Sequence, residues 1–174
     1  MNQAARLSLP NLLSLSRLVL AAAFIAAPGA AVRVALVVAA GASDVLDGWL
    51  ARRSRVASPY GALLDPITDR VFALTAILVL LFEGALTSTQ VLVLLIRDIA
   101  TATGFLVARV VTWLRPVQFK ARTPGKIVTA LQFVTLLAAL LAPALVNLLI
   151  AIVAVGAVWA IVDYTLALWR ARVR

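Results

Sequence analysis

Asp44-Val45-Leu46-Asp47-Gly48-Trp49-Leu50-Ala51-Arg52, followed eight residues on by Gly61-Ala62-Leu63-Leu64-Asp65-Pro66-Ile67-Thr68-Asp69, places four of the chain's seven acidic residues in one short span of an otherwise oily sequence. A carboxylate in such surroundings loses hydration that hydrocarbon cannot return, so it is costly unless something positive stands beside it. Asp44 and Asp47 are at i and i+3, Asp65 and Asp69 at i and i+4, so each pair projects from one face of its own helix. Two such faces meeting make a cage of four carboxylates. Like charges that close repel strongly at low dielectric, and a divalent cation or protonation relieves them. The donors are all oxygen and the chain has no Cys and no His, which favours a hard ion (magnesium, manganese or calcium) over zinc.

Composition says where this cage has to work. The chain is 64% hydrophobic with a mean hydropathy of +1.06, far from soluble globular usage, and reads as one integral membrane domain over residues 1–174. The net charge of +9 does not point to nucleic acid, because the bases are scattered between apolar runs and form no continuous stripe. They read as topology signals and as contacts for anionic lipid or phosphate. Without Cys there are no disulfides or thiolates, and without His the usual proton shuttle is missing, so a general base must come from Asp or Glu, or else Lys or Tyr.

Outward from the motif, the hydropathy pattern predicts an all-α bundle of six transmembrane helices. Residues 1–16 read as a short amphipathic helix at the interface leading into a first span over about 12–27. Pro28-Gly29 breaks the chain, and a second span covers about 31–50. A basic loop at Arg52-Arg53-Ser54-Arg55 and a turn at Ser58-Pro59-Tyr60-Gly61 lead to a third span over about 62–81. Glu83-Gly84 turns the chain into a fourth span over about 90–113, which carries the internal charges Arg97, Asp98 and Arg109. A basic connection from Arg115 to Lys126 precedes a fifth span to about 141, and Pro143 separates it from a sixth over about 145–169. A secretory signal fits the N-terminus less well, because the apolar run starts late and passes through Arg17.

Most Lys and Arg fall at the N-terminus, the Arg52 loop, the Arg115–Arg122 connection and the C-terminal tail, and none at the Glu83 and Pro143 turns. The positive-inside rule then places both termini and the acidic motif in the cytoplasm, at a cytoplasmic (inner) membrane. The Trp residues at 49, 113, 159 and 169 read as interfacial anchors.

Written as a pattern, the opening stretch is D-x2-D-G-x2-A-R-x8-G-x3-D-x3-D, and it resembles, without a departure, the signature of the CDP-alcohol phosphotransferases. The resemblance implies an integral membrane enzyme of phospholipid synthesis, a homodimer, that displaces CMP from a CDP-linked lipid by an alcohol, with CDP-diacylglycerol as donor. It implies two divalent cations, Mg or Mn, on Asp44, Asp47, Asp65 and Asp69, with Asp69 also the general base toward the acceptor hydroxyl. By the same resemblance Gly48, Ala51, Arg52 and Gly61 bind the CDP moiety, with Arg17 near the nucleotide. Gly48, Ala51 and Gly61 are equally the small residues that let helices pack closely.

A second constellation is Arg97-Asp98 in the fourth span together with Lys120, Arg122 and Lys126. Arg beside Asp inside a membrane reads as a structural ion pair, and the bases around Arg122 as a lipid-contacting loop. An acceptor that is itself a phosphate needs such bases beside the acidic site, which makes Arg97, Lys120, Arg122 and Lys126 the acceptor-binding candidates. Pro10-Asn11-Leu12-Leu13, an Arg in span four and a Gly-Lys start to span five resemble members that use glycerol 3-phosphate and make phosphatidylglycerophosphate. Asp rather than Glu after Arg97 resembles the cardiolipin synthases of the same type, whose acceptor is phosphatidylglycerol. Inositol phosphate is a more distant acceptor. A cation transporter is the reading from another class, and it expects acids spread across the membrane's depth. Asp163-Tyr164 has no reading at this level.

Overall fold

A computed structural model describes residues 9–54, 61–110 and 123–172, with side chains for most of them. Among the described residues every element is helical: α1 (Leu9–Ala26), α2 (Ala30–Ser54), α3 (Gly61–Phe82), α4 (Ser88–Val110), α5 (Thr123–Leu141), a single 3-10 turn at Pro143–Leu145, and α6 (Val146–Arg172). Six helices match the six expected apolar segments. Two segments, Pro124–Leu141 and Pro143–Leu166, are apolar and long enough to cross a membrane by length and composition.

Two boundaries differ from the sequence reading. Residues 9–16 are the opening turns of α1 itself, with no break at Asn11; Pro10 is the helix's second residue, where a missing N–H and a fixed φ are tolerated. Any separate interfacial helix before Leu9 lies outside the described residues. Likewise Arg52 and Arg53 end α2 rather than forming a loop, because cations suit the carbonyl end of a helix.

The turns follow from local chemistry. At the end of α3, Gly84 adopts φ of 76°, and the N–H groups of Gly84, Ala85 and Leu86 bond back to the carbonyls of Leu81, Leu80 and Leu80. Only glycine takes that backbone cheaply. α4 then opens with a reciprocal cap: Gln90 N–H donates to Thr87 Oγ1 at 3.3 Å, and Thr87 N–H to Gln90 Oε1 at 2.8 Å. The same Gln90 side chain donates to Asn147 Oδ1 at 2.8 Å, tying the start of α4 to that of α6.

Packing closes the helices into a ring in the order α2, α1, α3, α4, α6, α5 and back to α2, with α3 and α5 also touching across the middle. α1 therefore stands between the two helices that carry the acidic motif. The centre is aromatic: Phe72 of α3 meets Phe24 of α1 edge-on at 6.1 Å and stacks on Phe133 of α5 at 6.0 Å. Around them sit Val37, Ile77, Leu80, Leu94 and Leu136, all buried. Val19, Ile25, Val155, Val158 and Trp159 point outward, the pattern of a bundle whose solvent is apolar.

At the end of the bundle where α2 starts and α3 finishes, Arg33 pairs with Glu83, its Nη2 donating to Oε1 at 2.7 Å, while its guanidinium lies 5.4 Å over the Phe24 ring. That hydrogen bond, aided by the charge of Arg33, holds the exposed Glu83 carboxyl below its ordinary range.

Phe72→Ala removes the ring that joins α1, α3 and α5 and is expected to destabilise the protein by about 2–4 kcal/mol, read as a lower melting temperature in detergent. Because the Glu83 carboxylate is stabilised in the folded state, its contribution is present above the ordinary carboxylate pKa and fades as pH falls through the lowered one. Glu83→Gln should cost less than about 1 kcal/mol at neutral pH, and melting curves of variant and parent should converge as pH falls below the lowered carboxylate range.

Candidate active site

α2 and α3 each carry one acidic pair at the same end of the ring. On α2, Val37, Ala40 and Ser43 are buried, and Asp44 and Asp47 continue that register four residues beyond Ala40 and Ser43. On α3, Thr68, Phe72, Ala73 and Ala76 are buried, and Asp65 and Asp69 occupy the register positions one turn before Phe72 and Ala73 and the turn before that. Both pairs thus lie on their helices toward the end where α2 finishes and α3 begins. Pro66, between the α3 acids, has no N–H, so the Ala62 carbonyl one turn earlier lacks its helical partner.

Of the four acids, Asp44 has a described side chain; those of Asp47, Asp65 and Asp69 lie outside the described residues, as do those of Gly48, Ala51, Arg52 and Gly61. The backbone places Gly48, Ala51 and Arg52 on the closing turns of α2 and Gly61 as the first residue of α3. Asp44 is 51% exposed and lies 3.7 Å from Arg17 Nη2, too far for a hydrogen bond. Arg17, only 2% exposed, is held from behind: its Nε donates to Ser43 Oγ at 3.0 Å, and Ser43 donates to the Ala40 carbonyl at 2.8 Å. Arg17 thus stands beside the first acid of the motif, with Ser43 as a support that motif reading missed. A solvent-facing carboxylate on an acid-rich helix end, with no nitrogen or sulfur donor in the chain, suits a hydrated divalent cation.

The second constellation is assembled from four helices. Asp98 of α4 is bonded by Arg70 of α3 and by its neighbour Arg97, whose Nη1 donates to Oδ1 at 2.8 Å. Its other oxygen accepts from Gln132 Nε2 of α5 at 3.1 Å, and Gln132 also donates to the Leu94 carbonyl at 2.6 Å. Arg97, 6% exposed, donates further to Thr129 Oγ1 at 3.2 Å, while its buried Nε has no hydrogen-bond partner among the described residues. Thr129 in turn donates to the Gly125 carbonyl at 3.1 Å, and the Tyr164 hydroxyl of α6 faces the same glycine. The ion-pair reading of Arg97-Asp98 holds. Two guanidiniums against one carboxylate still leave this described cluster positive.

Among the acceptor candidates, Arg97 is in the cluster, and Lys126 is exposed on the opening turns of α5, one residue past Gly125. Lys120 and Arg122 lie outside the described residues. Arg70, Gln132 and Tyr164 were not legible as site residues. Arg70 directly follows the motif and was overshadowed by it; Gln132, a lone polar residue in an apolar run, was the available signal.

Fold and site together define a helical bundle of membrane character with a cluster of buried and partly buried Arg, Asp, Gln and Thr that joins α3, α4 and α5. A family profile described as CDP-alcohol phosphatidyltransferase matches residues 7–163, and the chain belongs to that family, which is membrane-associated. A Mycobacterium tuberculosis protein named "Putative cardiolipin synthase" is 40% identical over 82 residues, covering 45% of this chain and 39% of that protein. A Pseudomonas fluorescens protein named CDP-diacylglycerol–glycerol-3-phosphate 3-phosphatidyltransferase is 46% identical over 44 residues, 25% of this chain and 23% of its own length. An Oryza sativa protein named cardiolipin synthase (CMP-forming) is 36% identical over 81 residues, 43% and 24% respectively. The matched stretches thus cover less than half of each of these relatives.

Asp98→Ala strands two guanidiniums in a largely buried setting and is expected to lower stability by about 3 kcal/mol or more. Arg97→Ala combined with Asp98→Ala should cost less than the sum of the single changes, a coupling that melting curves of the three variants would measure.

Proposed function

We propose that this protein transfers a phosphatidyl group from CDP-diacylglycerol to a phosphate-bearing alcohol and releases CMP. The observation that carries the reading is the partly buried cluster of two guanidiniums, Arg70 and Arg97, on Asp98, together with Arg17 standing beside Asp44 on the helix that bears the motif. Its family membership and the names of its relatives support the reaction class. Asp44, Asp47, Asp65 and Asp69 would hold two divalent cations, Mg or Mn, which when bound neutralise the diphosphate and make CMP a better leaving group. Asp69 takes the proton of the acceptor hydroxyl; the freed oxygen attacks the phosphorus of the phosphatidyl group, and the bond to CMP breaks. Gly48, Ala51, Arg52 and Gly61 receive the CDP moiety, with Arg17 beside it. Arg97, Lys120, Arg122 and Lys126 bind the acceptor's phosphate.

Glycerol 3-phosphate is the acceptor we favour, giving phosphatidylglycerophosphate; the Gly125-Lys126 opening of α5 supports it. Phosphatidylglycerol, giving cardiolipin, is the second reading, and the specific observation for it is Asp98, which cancels one of two positive charges and suits a singly charged diester. Both readings use six membrane spans, both termini in the cytoplasm, an inner-membrane location and a homodimer. The Lys and Arg distribution supports that topology, and the polar cluster then faces the cytoplasm, where CDP and glycerol 3-phosphate are dissolved.

The test is CMP release by purified protein from CDP-diacylglycerol with magnesium or manganese, with glycerol 3-phosphate and phosphatidylglycerol supplied separately. Release should require one of the two alcohols, stop on adding a chelator, and fall at least about a hundredfold in Asp69→Asn. Release that ignores both alcohols, or that survives Asp69→Asn, would sink the transferase reading; cation flux in proteoliposomes would then be the measurement to make.

A further inference from the structure

Resting on the acceptor role of Arg97 just proposed, we propose that Gly125 is a positioning residue: by having no side chain it seats the Arg97 guanidinium against α5 and so sets how well the anionic acceptor binds. A Cβ built on Gly125 would overlap Arg97 Nη2, would stand 3.4 Å from its Cζ, and would meet the Tyr164 hydroxyl at 3.3 Å. The guanidinium therefore occupies the space a side chain would take. Thr129 closes the seat, accepting from Arg97 Nη1 at 3.2 Å while donating to the Gly125 carbonyl at 3.1 Å; Asp98 holds Nη1 from the other side at 2.8 Å.

Among the described residues this seat is rich in positive charge. Gly125 is the third residue of α5, where the first N–H groups have no intrahelical partner and the helix end is positive. Among the described residues the seat holds a buried cation whose Nε is unpartnered, and Arg70 shares its carboxylate, so two guanidiniums meet one described Asp. A phosphate oxygen brought to this point meets a guanidinium fixed in place instead of one that must be ordered on binding.

The guanidinium is softer than the two helix backbones, so in Gly125→Ala it is Arg97 that yields. The variant should fold, with KM for the acceptor raised about tenfold to a hundredfold, the range for one charge-assisted contact, while kcat at saturating acceptor and KM for CDP-diacylglycerol change less than about threefold. Thr129→Val, which removes the anchor without adding volume, should shift the same constant in the same direction. In an Arg97→Ala background Gly125→Ala should have no further effect on the acceptor's KM, because the residue it positions is gone. The acceptor is whichever of glycerol 3-phosphate and phosphatidylglycerol supports release by the parent protein.

Gly125→Ala that adds its full factor in the Arg97→Ala background, or that lowers kcat and both KM values alike, overturns the positioning role and leaves the transferase reading standing. An unchanged acceptor KM in Arg97→Ala overturns both the acceptor role of Arg97 and this inference. No release by the parent protein with either alcohol removes the reaction and the inference with it.

Discussion

The Asp98 carboxylate is the interaction on which the rest of the site depends. It sits on α4, yet it accepts from Arg70 of α3, from Arg97 beside it and from Gln132 of α5, so one group ties three helices at the depth where a membrane bundle can least tolerate an unmatched charge. Helices in an apolar solvent gain little from burying apolar faces against one another, and hydrogen-bonded polar side chains help set which faces meet. Here the polar contacts bring together α3, α4 and α5, and the Tyr164 hydroxyl adds α6.

A second polar set works at the end where α2 starts and α3 finishes. Arg33 with Glu83 joins α2 to the end of α3, and Gln90 with Asn147 joins α4 to α6. Between the two sets lies an apolar layer around Phe24, Phe72 and Phe133. The bundle is thus fastened at both sets by charge and hydrogen bonds and filled between them by rings and aliphatic chains. Among the described acids Glu83 lies just past the end of α3, Asp98 about halfway along α4, and Asp44 toward the closing turns of α2.

This division suits the proposed phosphatidyl transfer. One substrate has acyl chains that stay in lipid and a diphosphate that must reach water; the motif acids lie toward the end where α2 finishes and α3 begins, while the Arg cluster sits about halfway along α3 and α4. α1, between α2 and α3, contributes through Arg17, which Ser43 holds 3.7 Å from Asp44. A buried cation backed by a hydroxyl and facing a half-exposed carboxylate limits where that carboxylate can point, which is what a site of several like charges needs.

By itself the sequence determined the class of fold, the number of helices and the acidic motif, because each is written in local pattern: apolar run lengths, Gly and Pro at the breaks, and carboxylates at i, i+3 and i, i+4. It also singled out Arg97 and Asp98, since charges inside an apolar run are conspicuous. The helix ends at Leu9 and Ser54 escaped it, because a favourable second-position Pro and a cation-tolerant C-terminus look like loop signals when read alone. What only the tertiary structure decided is partnership. Nothing local links Arg70 to Asp98, Gln132 to the same carboxylate, Gly125 to Arg97, or Tyr164 to Gly125; these pairs are 28, 34, 28 and 39 residues apart along the chain. They meet because the ring order puts α3 and α6 on either side of α4 and α5 across the middle, and a buried charge takes whichever donor that packing delivers.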